Sequence, residues 1–441
     1  MTSTLSSSQL AAAQQEAGKY LAGGVVSLNR KVDPNIMFSS AKGSKMTDIY
    51  GKEYIDYHAA FAPHLLGHND DRVNQAVINA IKNNLSLIGS GASYLEIQLA
   101  KLLCTLIPSL ELIQITNTGS EATAHAIRLS RAYTGKEHII LIAGGYNGWH
   151  NDVSRAVMPA AELIGPRVKS GEYAFIPSSA GIPQGVKDRI HIINFNDLES
   201  AEKILSSYPV ACVLTEPALQ NIGVVLPNTG YLQGLISLCE QYDAVCIFDE
   251  VKTGFRSALG GYQQVAGVTP HLSVFGKAIA NGYPLGVIGG KKEIMELFDA
   301  KDPAKRVLIA GTYNAHPLNT TAALATLEIL QDPMVYASLE AVSGLLYDGL
   351  ETIFREKGMP VVISRNGSAS CTYFMEAAPR DLHDILQNND FKFDMAYRRA
   401  LIEEGIYLIP LACKQSSVSY AHTKEDIYQT LEMNRKVLKK L

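Results

Sequence analysis

The sequence predicts an α/β fold, with a large domain on a mostly parallel, mixed sheet joined to a smaller α+β domain. Three observations carry this expectation. Short apolar runs alternate with helically patterned stretches over roughly two hundred residues, the pattern of a parallel sheet covered on both faces. The character changes after Met359 and Pro360, where short strands flank an Asn366-Gly367 turn. Charged residues also stand at the ends of apolar runs, where open α/β sheets bind their ligands.

The elements follow in order. A helix is expected over 9–22, stopped by Gly23 and Gly24, and then an extended segment from Val25 to Arg30. Met46 to Tyr57 alternates apolar and polar residues about Tyr50-Gly51 and reads as a hairpin. Residues 72–88 carry Val73, Val77, Ile81 and Leu85 at helical spacing, and 94–107 carry Leu95, Leu99, Leu102 and Leu106. Strands are expected at 112–116, 138–143, 190–195, 210–215, 244–249, 272–275 and 286–289, with helices over 120–134, 197–207 and 230–242. Helices at 318–330 and 334–356 complete this part. Strands at 361–366 and 371–375, a helix near 392–404 and a strand at 406–409 come next. The final helix starts at Thr423, with Asp426 completing a capping box. The domains are therefore drawn as 1–60, a segment contributing to the small domain; 61–330, the large domain; and 331–441, the C-terminal small domain. Prolines and glycines punctuate 156–188, which reads as a long loop, either a functional lid or a mobile segment.

Composition narrows the function. A chain of 441 residues, 47% hydrophobic, can bury a sizeable core. With 39 basic and 43 acidic residues it gives no electrostatic argument for nucleic acid or an anionic membrane as partner. The six cysteines are scattered and read as buried, reduced thiols of a cytoplasmic protein. They and the eleven histidines show no metal-ligand spacing, so no metal is expected. The polar N-terminus lacks the apolar core of a secretory signal, and no apolar run is long enough to span a bilayer.

The chemistry concentrates at two strand ends. Asp249 closes the run from Ala244, and Lys277 follows Leu272–Phe275 and Gly276. An acid and a lysine so placed suit a cofactor with one basic nitrogen and one aldehyde. Pyridoxal 5'-phosphate (PLP) is that cofactor: its carbonyl condenses with a lysine and its ring nitrogen takes an Asp partner. Val274, Phe275, Ala278 and Ile279 surround Lys277 in sequence, and desolvation there makes the amine a usable nucleophile. The plainer roles are a surface lysine and a turn cap. Asn117 to Ala122 opens a helix after a strand. Gly119 lets the backbone approach a phosphate, the free N–H groups and helix dipole attract it, and Ser120 adds a donor. Ser120 equally suits a helix cap.

Taken together, Gly119-Ser120-Glu121-Ala122, Glu216-Pro217, the stretch Asp249 to Arg256, Gly276-Lys277 and Gly311-Thr312 resemble the class III PLP-dependent aminotransferases of fold type I. Within that class the chain, from about residue 20 onward, is similar to glutamate-1-semialdehyde 2,1-aminomutase and its relatives. The resemblance implies a catalytic set of Lys277, which holds PLP, Asp249, which partners the ring nitrogen, and Tyr146, which stacks on the ring. Val251 would pack the other face, Gly119 and Ser120 would bind the phosphate, and Asn221 would lie near the ring hydroxyl. Thr312 would reach the phosphate of a neighbouring subunit's cofactor, which implies a homodimer with sites at its interface. Ser27 and Arg30 match positions that hold a substrate carboxylate, Phe61 an aromatic facing the substrate, and 156–188 a gating loop. Arg30 could alternatively be a surface arginine paired with an acid.

Two departures bear on specificity. Asn147 stands where the family motif has histidine, and Lys414 where an acid is usual. Both are placed with the substrate residues, Lys414 either binding a carboxylate or remaining a solvated lysine. They favour an aminotransferase that moves an amino group from a carboxylate-bearing amine, such as a β-amino acid, to a keto acid. The intramolecular aminomutase is the alternative.

Overall fold

The main sheet is assembled from runs that carry their own instructions for burial. The computed structural model describes residues 7–87 and 89–441. The polar start and the last residue of the expected helix 72–88 lie outside the described residues. Strands β1 (Phe38–Lys42), β2 (Lys45–Asp48) and β3 (Glu53–Asp56) come first. The main sheet contains β4 (Leu112–Thr116), β5 (His138–Ile142), β6 (Ile190–Ile193), β7 (Val210–Thr215), β8 (Val245–Asp249), β9 (Leu272–Phe275) and β10 (Gly286–Gly290). Strands β11 (Val362–Asn366), β12 (Ala369–Tyr373), β13 (Ile406–Tyr407) and β14 (Ser416–Ser417) follow.

The sheet runs in the order β4-β10-β9-β8-β7-β5-β6. Its pairings are parallel except those of β10, which is antiparallel to β4 and β9. The carboxyl ends of β4, β5, β7, β8 and β9 therefore share one edge. Strands β7, β8 and β9 are buried at every position, which is why they read as unbroken apolar runs and not as alternations. Val274 and Ile288 enter one core while their neighbours Phe275 and Val287 enter another, the period of two expected of a strand covered on both faces. No helix among the described residues is long and apolar enough to cross a membrane.

The chain ends meet beside this sheet. β1, β2 and β3 pair in sequence, and β13 adds to β3 in parallel with Ile406 opposite Ile55. Helices Pro333–Glu356 and Lys424–Val437 pack their apolar faces here, the latter opened by the Thr423–Asp426 capping box. Directly after β3, Ala59, Ala60, Phe61 and Ala62 have φ of 49°, 53°, 67° and 82°. Left-handed backbone is disfavoured by about 1–2 kcal/mol for each non-glycine residue. Buried Asp56 holds the turn: its carboxylate accepts from the backbone N–H of His58 (2.8 Å) and Ala59 (3.0 Å) and pairs with His68 Nε2 (2.7 Å). The Arg256 guanidinium donates to the Ala62 carbonyl.

Several expectations are corrected. The segment 25–30 is extended only at its start, because Arg30 N–H donates to Ser27 O (2.8 Å) and turns Leu28–Arg30 into a short 3-10 helix. The helix begun at Asp71 ends at Lys82, where Asn83 leaves helical geometry and Asn84 turns left-handed. β1 was not expected. The strand expected at 406–409 is confined to Ile406–Tyr407. The stretch 156–188 contains two short helices, Ala161–Ile164 and Gln184–Lys187. It is fastened to the body by Arg167, which pairs with Asp381 and Asp384.

Replacing Asp56 with Ala removes the acceptor of those backbone N–H groups and leaves the left-handed turn unsupported. Urea denaturation is expected to show a loss on the order of 3 kcal/mol; a loss within 0.5 kcal/mol, about the effect of an ordinary surface substitution, would contradict this role.

Candidate active site

Five strand ends converge on two adjoining cavities. The first, of about 430 Å³, is lined by Thr118, Gly119, Ser120, Tyr146, Asp249, Val251 and Lys277 among others. Its floor is the N-terminus of helix Gly119–Thr134, whose free N–H groups and dipole make an anion seat. Thr118 is the N-cap, its side chain accepting from Glu121 N–H (3.2 Å). The capping role open to Ser120 in the sequence thus falls to Thr118, and the Ser120 hydroxyl remains to donate elsewhere. A Cβ at Gly119 would meet Val251 Cγ2 at 2.7 Å, so only glycine fits between the helix and that side chain.

Asp249, at the end of β8, is buried. Its carboxylate accepts from Asn147 Nδ2 (2.8 Å) and Val251 N–H (3.0 Å). Burial, and then the charge of Glu216, push its pKa up to about 7, against the pull of those donors and Lys277. Glu216, one residue past the end of β7, is buried and fully engaged. It accepts from Tyr146 N–H (2.9 Å), Gln220 N–H (2.9 Å) and Asn221 Nδ2 (2.8 Å), and so places both Tyr146 and Asn221. Lys277 follows β9 with a left-handed φ of 48°, and burial holds its amine below the ordinary lysine range.

The second cavity, of about 490 Å³, shares Tyr146, Asn221, Lys252 and Lys277 with the first. Phe61, Ile409, Leu411 and Lys414 face it, joined by Val157 and Ser178 of the 156–188 stretch. Lys414 Nζ donates to Asn221 O (2.6 Å) and is half-buried, not solvated. Arg30 is exposed and lines the cofactor-sized cavity and an outer groove, whereas Ser27 lines none of the three. Asn147, expected to face substrate, instead turns inward to Asp249. Its Oδ1 accepts from both terminal nitrogens of buried Arg155 (3.3 Å each), which fixes the amide with its N–H₂ toward the acid. Thr312 is exposed on a turn and lines neither cavity of its own chain.

Three residues escaped the sequence reading. Lys252 sits inside a stretch already singled out, and a charge among small and apolar residues was the available signal. Arg155 and the organising role of Glu216 have no local signal. Among the described residues no group of three or more His, Cys, Asp or Glu could hold a metal. The site fits PLP on three counts: a glycine-lined anion seat, a buried carboxylate without a cation in hydrogen-bond contact, and a desolvated lysine amine on the same cavity.

Comparison with known proteins agrees. The family model Aminotransferase class-III matches residues 27–438. A curated relative, glutamate-1-semialdehyde 2,1-aminomutase 1 of Lachnoclostridium phytofermentans, is 37% identical over 428 residues, 95% of this chain and 96% of its own. Glutamate-1-semialdehyde 2,1-aminomutase of Citrifermentans bemidjiense is 36% identical over 97% of this chain and 98% of its own. Among solved structures, an omega-transaminase from Sphaerobacter thermophilus superposes with a TM-score of 0.88, at 28% identity over 97% of both chains.

Asp249 sets a pH dependence that isolates its burial. Its folded-state pKa, about 7, lies above the unfolded value near 4. The protonated form is therefore favoured by folding, and this stability is lost as pH rises from about 4 through 7. In cofactor-free protein, Asp249→Asn should gain melting temperature relative to wild type as pH rises from 5 to 8. A difference that stays flat over that range would contradict the assignment.

Proposed function

Because this chain belongs to the class-III aminotransferases, we propose that it relocates the amino group of a carboxylate-bearing substrate, with glutamate-1-semialdehyde 2,1-aminomutase activity the better-supported form. Its cofactor is PLP. The observation that carries the reading is Asp249 and Lys277 lining one cavity above the Gly119 seat. The aminomutase reading stands first, ahead of the sequence expectation, because relatives of that name match nearly the whole chain at 36–37% identity. Transfer to a separate keto acid is the second reading, favoured by Lys414 in the substrate cavity.

When bound, PLP supplies an electron sink beside the carbon that carries the amine. The chain supplies the rest. Asp249, ionised, keeps the ring nitrogen protonated, and Asn147 holds its carboxylate in place. Val251 and Tyr146 would pack the two ring faces, Gly119 and Ser120 would hold the phosphate, and Asn221 would take the ring hydroxyl. Lys277 would provide the covalent anchor, and its amine, held below the ordinary lysine range by burial, would carry the proton to and from the reacting carbon. Phe61 and Lys414 shape the substrate end, with Ser27 and Arg30 at the mouth and 156–188 as its cover. A homodimer is part of the proposal: Thr312 is exposed, and its neighbours Leu308 and Tyr313 are exposed as well, 72% and 60%, as an unpaired contact surface would be. A cytoplasmic location accords with six free cysteines.

Lys277→Ala should abolish the absorbance of lysine-linked cofactor and nearly all turnover; retention of both would remove the assignment. Conversion of glutamate-1-semialdehyde without any keto acid selects the aminomutase, while a strict requirement for one selects the transaminase. Thr312→Ala should weaken cofactor affinity about tenfold, the loss of one charge-assisted hydrogen bond. Unchanged affinity would speak against a shared site.

A further inference from the structure

Two lysines stand in the substrate cavity with no Asp or Glu in its lining; the carboxylate whose charge reaches both, Glu216, lies in the adjoining cavity and is already engaged by three N–H donors. Lys252 is buried, and its Nζ donates to Gln220 O (2.6 Å) and Asn221 Oδ1 (3.4 Å). Lys414 Nζ donates to Asn221 O (2.6 Å). Both side chains thus reach the same short stretch, one from the loop after β8 and the other from the loop after β13. An ammonium has three N–H groups, so at least one on Lys252 and two on Lys414 remain for a ligand. Among the described residues neither forms an ion pair, and no Asp or Glu lines this cavity. Burial, together with the nearby charge of Lys277, holds the Lys252 amine well below its ordinary range. Burial does the same to Lys414.

Desolvated cations without partners are costly, and they persist where a ligand supplies the opposite charge. Arg30 is a poorer match. It is exposed and lines the cofactor-sized cavity and the outer groove, while in the cavity that Lys414 lines its place is taken by its neighbour Asn29. Lys252 also sits on the boundary of both cavities beside Lys277, so an anion held there has its reacting carbon close to the Lys277 amine. Phe61, Val157, Ile409 and Leu411 supply apolar walls for a short aliphatic spacer.

We propose that Lys252 and Lys414 together hold the carboxylate of the substrate, with Lys252 a specificity-determining residue for that anion. The proposal rests on the reading above for the reacting amine. It is independent of whether the amine moves within one molecule or between two. The ligand class is a short-chain carboxylate with an amino or oxo carbon a few bonds from the acid.

The test uses the PLP-loaded protein and 4-oxopentanoate, which carries the acid and an oxo group but no amine to transfer. Pentan-2-one is the uncharged control. By isothermal titration calorimetry, Lys252→Met and Lys414→Met should each weaken 4-oxopentanoate at least tenfold and leave the ketone unchanged, and Lys252→Arg should restore part of the loss. Wild-type affinity in both Met variants, with binding lost in Arg30→Ala, would overturn the proposal. Equal losses for acid and ketone would also overturn it, since they would reduce the lysines to packing. A Lys252→Met protein that loses cofactor absorbance while 4-oxopentanoate binding survives would assign Lys252 to the cofactor instead. Lysine-dependent binding of 4-oxopentanoate by a protein that transfers no amino group would leave this proposal standing and overturn the proposed function.

Discussion

The site is organised by the closeness of two buried carboxylates, Glu216 and Asp249, delivered by the adjacent parallel strands β7 and β8. Like charges in a low-dielectric setting repel, and the structure answers each in a different way. Glu216 is satisfied by three N–H donors from its own neighbourhood, which turns a charge into a fixed corner for Tyr146 and Asn221. Asp249 has only two donors, its pKa is pushed up to about 7, and it is left to pair with a basic ring nitrogen. The charge of Glu216 also reaches the basic groups Arg155, Lys252 and Lys277, opposing the fall in pKa that burial imposes on each.

Much of the cofactor side was legible because each of its contacts belongs to a strand end or a helix start. Gly119 and Ser120, Asp249, and Lys277 are local events in sequence, and unbroken apolar runs announced the strands that deliver them. The remainder depends on which strand ends become neighbours. That Glu216 stands beside Asp249 follows from β7 pairing with β8, which no local pattern states. Asn147 reads as a substrate residue by position in its motif, yet Arg155, eight residues on, turns its amide inward. β1 escaped notice because Phe38 to Lys42 does not alternate cleanly, and its register against β2 shifts between Phe38 and Ser40.

The substrate side obeys a different logic. Its aromatic wall, Phe61, is carried on consecutive left-handed residues, a conformation that local sequence preference opposes. It exists because Asp56 and Arg256, from separate parts of the chain, hold it. Tertiary contacts override propensity here, and such places are where reading by pattern is expected to fail and where function is expected to sit.

The pairing of β3 with β13 has a consequence for assembly. Apart from Arg30 and Pro63, the residues around the cofactor-sized cavity come from Asn117 to Leu285. The neighbouring cavity also needs Asn29, Phe61 and the stretch from Ile409 to Gln415. Apart from those two residues the first is enclosed by one continuous stretch, whereas the second depends on a pairing that closes a loop of about 350 residues, between Ile55 and Ile406. On a ribosome, the residues of the anion seat and the paired carboxylates emerge before the Ile409 to Gln415 wall of the second cavity. The cofactor cavity is thus written in the middle of the chain, while the second cavity draws on residues from near both of its ends.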